Sequence, residues 1–217
     1  MYSLPYFKEK EPGLIRAFME QHPFITLCGS DKAGSPVATH VPVLLQDIDD
    51  RLFLQGHIMK KTDHHLAFLE NPNVLAIFAG PHTYVSASWY SNPLQGSTWN
   101  YMTVHAKGQI RFLDDTALAD LLRDLTAHFE RHDASPSLYG KLPTTYISQM
   151  SKAIVAFAIE VKEIDNVFKL SQNRDEASYH VIIDKLRQQG GDGEKIAGEM
   201  SKRAATLFSN GTAKTQS

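Results

Sequence analysis

The chain has 217 residues, 42% hydrophobic and 21% charged, with a formal net charge of -2. That is the composition of an ordinary globular protein, long enough to bury a substantial core as one domain with at most a small appendage. The balance of 22 Lys and Arg against 24 Asp and Glu, with basic runs no longer than the pairs Lys60-Lys61 and Lys202-Arg203, excludes a general attraction to nucleic acid.

In chain order, Glu11-Pro12-Gly13 opens a helix with an apolar face of Leu14, Ile15, Phe18 and Met19, and His22-Pro23 ends it. Phe24 to Cys28 is a strand, followed by a turn-rich connection from Gly29 to Pro36. The next strand runs from Val37 to Gln46, with Val37, Thr39, Val41, Val43 and Leu45 on one face and Ala38, His40, Pro42 and Leu44 on the other. Pro42 cannot donate to a ladder, which makes this an edge strand or places something other than a strand beside it. Asp47 to Asp50 is a hairpin-like acidic turn.

Leu52 to Leu54 then begins a strand that stops at Gly56. After Lys60-Lys61, either Thr62 or Asp63 can cap a short helix carrying Leu66, Phe68 and Leu69, which Asn71-Pro72 ends. Two ammonium groups, a hydroxyl and helix-terminal N–H groups at one turn are the chemistry that a phosphate needs. A capped surface helix preceded by two solvated lysines is the plainer reading of the same residues, and from this stretch alone the favoured one. Val74 to Phe78 is a strand apolar on both faces.

From Gly80-Pro81 the chain is aromatic, and Thr98 to Phe112 follows a two-residue period. Met102, Val104, Ala106, Gly108, Ile110 and Phe112 share the core face; Trp99, Tyr101, Thr103, His105 and Lys107 share the other. Trp99 and Tyr101 on an outer face suit a partner surface or a flat ligand, unless the loop from Tyr84 to Gln95 folds back over them. Asp114-Asp115 caps an amphipathic helix with Leu118, Leu121, Leu122, Leu125 and Phe129 on its stripe. A helical turn near Thr145 to Met150 leads to a central strand from Ala153 to Val161. Two helices close the chain, Glu176 to Gln188 and Glu194 to Phe208, separated by Gly190-Gly191-Asp192-Gly193, and Ser209 to Ser217 frays.

Dinucleotide, P-loop, zincin and nucleophile-elbow motifs are all missing. Several strands precede the main helix, which argues for an α+β, mainly β chain: an antiparallel barrel with peripheral helices and a C-terminal helical extension. The lone Cys28 excludes an intrachain disulfide and a CxxC motif. No secretion signal or run of ~20 apolar residues is present, so a cytoplasmic protein without a membrane partner is expected. Of the ten histidines, His64 and His65 are adjacent and would point about 100° apart on a helix, so no metal centre is expected.

Several separated segments together resemble the PaiB family, described as FMN-binding negative transcriptional regulators. They are Thr39-His40-Val41-Pro42-Val43, Gly56 to His64, Gly80-Pro81 with Tyr84-Val85-Ser86, Ser88-Trp89-Tyr90, Thr98 to Tyr101 with Val104-His105, and Lys169 to Asn173. The resemblance spans residues 1 to 205 and departs at Ala87, where the family often has proline, and at Gly96-Ser97, where it often has Val-Pro. It implies an FMN-binding split β-barrel, here a domain over 1–174 with a helical extension over 175–208. The phosphate site would be Lys60, Lys61 and Thr62, approached past Gly56 and His57. His40, Val41 and Pro42 would face the pyrimidine edge of FMN. Trp99 and Tyr101 would lie at the flavin or at a homodimer interface, and Ser171, Gln172 and Arg174 would complete the site from either chain. The implied function is a flavin reductase-like oxidoreductase supplied by NAD(P)H or a ligand-responsive regulator. Haem held by His57 or His105 fits less well, because two lysines suit a phosphate.

Overall fold

The computed structural model describes residues 1–2, 4–92 and 94–209; the tail expected to fray lies outside them beyond Ser209. The elements are α1 (Pro12–Gln21), β1 (Phe24–Ser30), β2 (Pro36–Pro42), β3 (Leu44–Ile48), β4 (Arg51–Met59), α2 (Asp63–Glu70), β5 (Asn73–Val85), β6 (Thr98–Phe112), α3 (Asp115–Glu130), α4 (Thr144–Ser151), β7 (Ile154–Lys169), α5 (Glu176–Gln189) and α6 (Gly191–Phe208). The strands form a seven-stranded sheet in the order β2-β1-β5-β6-β7-β4-β3. Packing divides the chain into two compact units, one from Met1–Phe18, Ala79–Val104 and the chain from Asp165, the other from Met19–Phe78 and His105–Ile164.

In the second unit, β1 pairs antiparallel with β2 from Phe24↔Pro42 to Ser30↔Pro36. β4 pairs antiparallel with β3 and with the first part of β7, where His57 faces Ala156. The strand expected from Val37 to Gln46 is therefore two strands broken at Val43. Pro42 has no N–H to continue the ladder, and the Val43 N–H donates instead to Pro23 O at 2.9 Å. β2 and β3 are the two edges of the sheet although one residue separates them, so the antiparallel sheet must curl to bring its edges together. Asp49 and Asp50, with φ of 50° and 59°, make the tight turn from β3 into β4.

The β4 strand passes through Gly56 rather than stopping there, and β5 passes through Gly80-Pro81. Pro81 lies beyond Leu75 to Ile77, the part of β5 that pairs with β1. On the helical side of this unit, Leu118, Leu121 and Leu125 of α3 pack with Leu44 and Ala156, each contributing roughly 1.5–3 kcal/mol by burial. Asp114 caps α3 by accepting the Ala117 N–H at 2.9 Å. Phe129, expected on the buried stripe, is 43% exposed at the helix end.

The first unit is built on the outer halves of β5 and β6, the end of β7, and the pair α5 and α6. Tyr179, Ile182, Ile183 and Leu186 of α5 are buried, as are Ile196, Ala197 and Met200 of α6. The Tyr179 hydroxyl donates to Met200 O at 3.0 Å, and burial pushes its pKa up to about 12. The two helices are separated by Gly190 alone, because Gly190 and Gly191, at φ 68° and 55°, turn the chain at once. The final part of β7, from Val167 to Lys169, carries the strand past Val161, where it was expected to end.

Candidate functional site

The expected site residues fall into two groups, one in each unit. In the second unit, β4 delivers the chain to Lys60, whose N–H donates to Ala153 O at 2.8 Å. Lys61 adopts a left-handed φ of 65°, which turns its N–H onto His65 Nδ1 at 3.1 Å. His65 must hold its proton on Nε2 to accept that bond. Burial lowers its pKa, and the neighbouring charges of His64 and Lys60 lower it further, which agrees with a neutral ring.

Thr62, rather than Asp63, caps α2. Its Oγ1 accepts the His65 N–H at 3.4 Å and donates to Met59 O at 3.1 Å, with His64 Nε2 a further neighbour at 3.0 Å. The Asp63 carboxylate accepts the His64 N–H at 2.8 Å, and that bond is the first cause of its lowered pKa. The N–H groups of Lys60, Lys61, His64 and His65 thus have partners within the protein. What the turn offers an anion is the pair of ammonium groups, neither with a carboxylate partner among the described residues.

Four residues before Lys60, β4 makes a close strand approach. A Cβ added at Gly56 would stand 2.8 Å from Pro42 O and 2.7 Å from the Phe157 ring, so only glycine fits where β4 passes β2. Val41 is buried, whereas His40 is exposed and stacks on Phe24 with ring centroids 6.1 Å apart. As an edge strand, β2 leaves one side of its backbone outside the ladder. The Nδ1 of His57 is buried without a hydrogen-bond partner, and burial lowers the pKa of its ring, favouring neutral imidazole. Two unneutralised ammonium groups, a close-packed glycine and an orphaned imidazole nitrogen fit a phosphorylated ligand.

In the first unit, Trp99 is 53% exposed, and the chain from Tyr84 does not bury it. Its ring lies near His82 and Tyr84, at 6.0 and 6.2 Å between centroids. Tyr101, on the same face, has its pKa raised by burial and by Tyr2. After β7, Ser171 takes a left-handed φ of 62° and donates to Asn100 Oδ1 at 3.0 Å. Gln172 accepts the Leu170 N–H at 2.7 Å and donates to Phe168 O at 2.5 Å. The side chains of Ser171 and Gln172 therefore shape the loop. Arg174 instead lays its guanidinium over the Tyr90 ring, 4.0 Å from the centroid, and its Nε is buried without a partner.

Sequence reasoning missed Asn100 as a site-shaping residue. It is fully buried in phase with Met102 and Val104, and its Nδ2 donates to Met200 Sδ at 3.6 Å. The period of β6, continued two residues towards its start, was the available signal. A groove of about 540 Å³ past Cys28, Asn71, Asn73, Lys107 and Gln109 contains none of the expected site residues.

The curled antiparallel sheet with its outer helices is a split barrel of the kind seen in flavin and haem proteins. One solved structure of this fold is the FAD and heme binding protein from Mycobacterium smegmatis, with TM-score 0.57 and 17% identity, covering 75% of this chain and 73% of that one. Another is the flavocytochrome Anf3 from Azotobacter vinelandii, with TM-score 0.54 and 13% identity, covering 77% and 72%. Residues 1–163 match the family described as "Putative FMN-binding domain". The "Protease synthase and sporulation protein PAI 2" of Bacillus subtilis is 34% identical over 200 residues, which is 92% of this chain and 96% of that protein. The chain belongs to this PaiB-type FMN-binding family, and FMN is its cofactor.

Proposed function

We propose that the chain is a cytoplasmic, homodimeric FMN-dependent oxidoreductase of the flavin reductase type, with NADH or NADPH as electron donor. The observation that carries the binding assignment is the turn at Lys60 and Lys61, two ammonium groups without a carboxylate partner among the described residues. These two side chains would hold the phosphate. The outer side of β2 at His40, Val41 and Pro42 would meet the ring edge, and neutral His57 would give one hydrogen bond from its orphaned nitrogen. Bound FMN supplies hydride-transfer chemistry, and the chain supplies position and electrostatics. The exposed Trp99, with the half-buried Tyr101 on the same strand face, supports a homodimer, since a second copy would remove the indole from water. A flavin-responsive negative regulator is the second reading, supported by the name of the Bacillus subtilis relative, which refers to protease synthesis and sporulation.

Titrating the dialysed protein with FMN and adding NADH or NADPH under air tests the first reading. Saturable binding with continuing nicotinamide oxidation is the expected result; binding without turnover transfers the assignment to the regulator. Replacing Lys60 and Lys61 together with alanine should weaken FMN binding by about tenfold or more and riboflavin binding by less than about threefold, because only FMN carries the phosphate those charges would hold. Equal losses for both ligands would remove the phosphate from this turn.

A further inference from the structure

The first unit holds a second concentration of positive charge besides the two lysines given to the flavin phosphate. Most of its cations have acids at hand. Lys8 meets Asp165 at 2.6 Å, Lys195 meets Asp192 at 3.0 Å, and Arg203 meets Glu199 at 2.5 Å and Glu9 at 3.2 Å. Lys169 and Arg174, at the two ends of the loop after β7, have no carboxylate partner among the described residues, although both side chains are partly buried. The nearest acid in sequence, Asp175, is occupied as the cap of α5. It accepts from Ser178 N at 2.9 Å, from Ser178 Oγ at 2.6 Å and from Ser91 Oγ at 3.0 Å.

The surroundings of the two cations are aromatic and short of acceptors. Lys169 Nζ is bonded to Thr98 Oγ1 and lies 5.4 and 5.8 Å from the ring centroids of Tyr2 and Phe7. Arg174 covers Tyr90, and both its Nε and the Tyr90 hydroxyl are buried without hydrogen-bond partners. Burial, and after it the charge of Arg174, lowers the pKa of Lys169. Holding two like charges together in a partly desolvated place costs stability unless an anion neutralises them. Thr98 also ties Lys169 to the strand that presents Trp99 and Tyr101, one and three residues beyond the cation's partner.

From these contacts we infer that Lys169 and Arg174, with the Tyr90 hydroxyl, form an oxyanion-binding site for a phosphorylated co-substrate with a planar ring, distinct from the flavin phosphate site. The class of molecule, a nicotinamide dinucleotide, rests on the oxidoreductase reading; the anion site does not. An oxyanion there would accept from the lysine ammonium, the Arg174 Nε–H and the tyrosine hydroxyl, the groups that lack a counter-charge or a partner.

The test is tryptophan-fluorescence titration of the FMN-loaded protein with pyrophosphate and, separately, with NADP+. Both should quench saturably in the wild type. Lys169→Gln and Arg174→Gln should each weaken binding about tenfold, the loss of one charge-assisted contact. Lys169→Arg should stay within about threefold of wild type, and FMN affinity should be unchanged in both Lys169 variants. Pyrophosphate binding without NADP+ binding would keep the anion site and sink the nicotinamide donor. No saturable binding of either anion to the wild type would overturn the inference. So would unchanged anion affinity in the variants, while a matching loss of FMN affinity would assign the two cations to the flavin itself.

Discussion

One missing methyl group sets the distance between β2 and β4. Because a Cβ at Gly56 would meet a backbone carbonyl at 2.8 Å as well as the Phe157 ring, Gly56→Ala cannot be absorbed by a side-chain rotation alone. The substitution should cost about 1–3 kcal/mol in a urea unfolding experiment and weaken FMN binding, because it separates the strand of Pro42 from the strand that leads to Lys60. An unchanged midpoint would show that β4 can shift without penalty. At this scale the sequence was informative where chemistry is local: Thr62 and Asp63 before the apolar residues of α2 both read as caps, and Thr62 is the one that caps. The left-handed Lys61 was not legible, since no residue type announces it. It exists because His65, one helical turn later, offers Nδ1 to its N–H.

Elements were legible by period and misread at punctuation. The alternation from Thr98 to Phe112 predicted β6 with both of its ends. Gly56 looked like a stop and β5 was read only from Val74 to Phe78, yet β4 runs through Gly56 at a close strand approach and β5 runs on through Gly80-Pro81, beyond the stretch paired with β1. The loop after β7 illustrates what periodicity cannot reach. Ser171 is buried at a left-handed φ of 62° and donates to Asn100, which in turn reaches Met200 of α6. Ser171→Ala should therefore lower stability by about 1–3 kcal/mol by leaving Asn100 Oδ1 without its donor. Ser171→Gly should be less harmful than alanine by roughly 0.5–1 kcal/mol, since glycine adopts this φ freely. Thermal melts of the two variants that showed alanine as the milder change would contradict a strained loop.

For the whole molecule, strand-rich order before the main helix was sufficient to point to an antiparallel barrel, and the separated motifs pointed to its family. The two packing units were not legible, because one is assembled from three stretches distant in sequence. Oligomeric state is the molecular-scale prediction. Sedimentation equilibrium should give twice the chain mass, and Trp99→Ala should shift the protein towards monomer or weaken FMN binding by at least about tenfold, the loss expected when a large aromatic anchor is truncated. An unchanged mass with unchanged flavin affinity would return Trp99 to the ordinary surface.

The pairing of β4 with β7 has a consequence for synthesis on the ribosome. The hairpin of β3 and β4 emerges early, but the strand that covers the other side of β4 is β7, which follows α3 and α4 in the chain. Until β7 is translated, the nascent chain presents β4 with an open row of N–H and C=O groups, a template for pairing with the wrong strand. Ribosome-bound chains ending before Ile154 are thus the forms of this protein most in need of a chaperone, and closure of the sheet is a late event set by the order of translation.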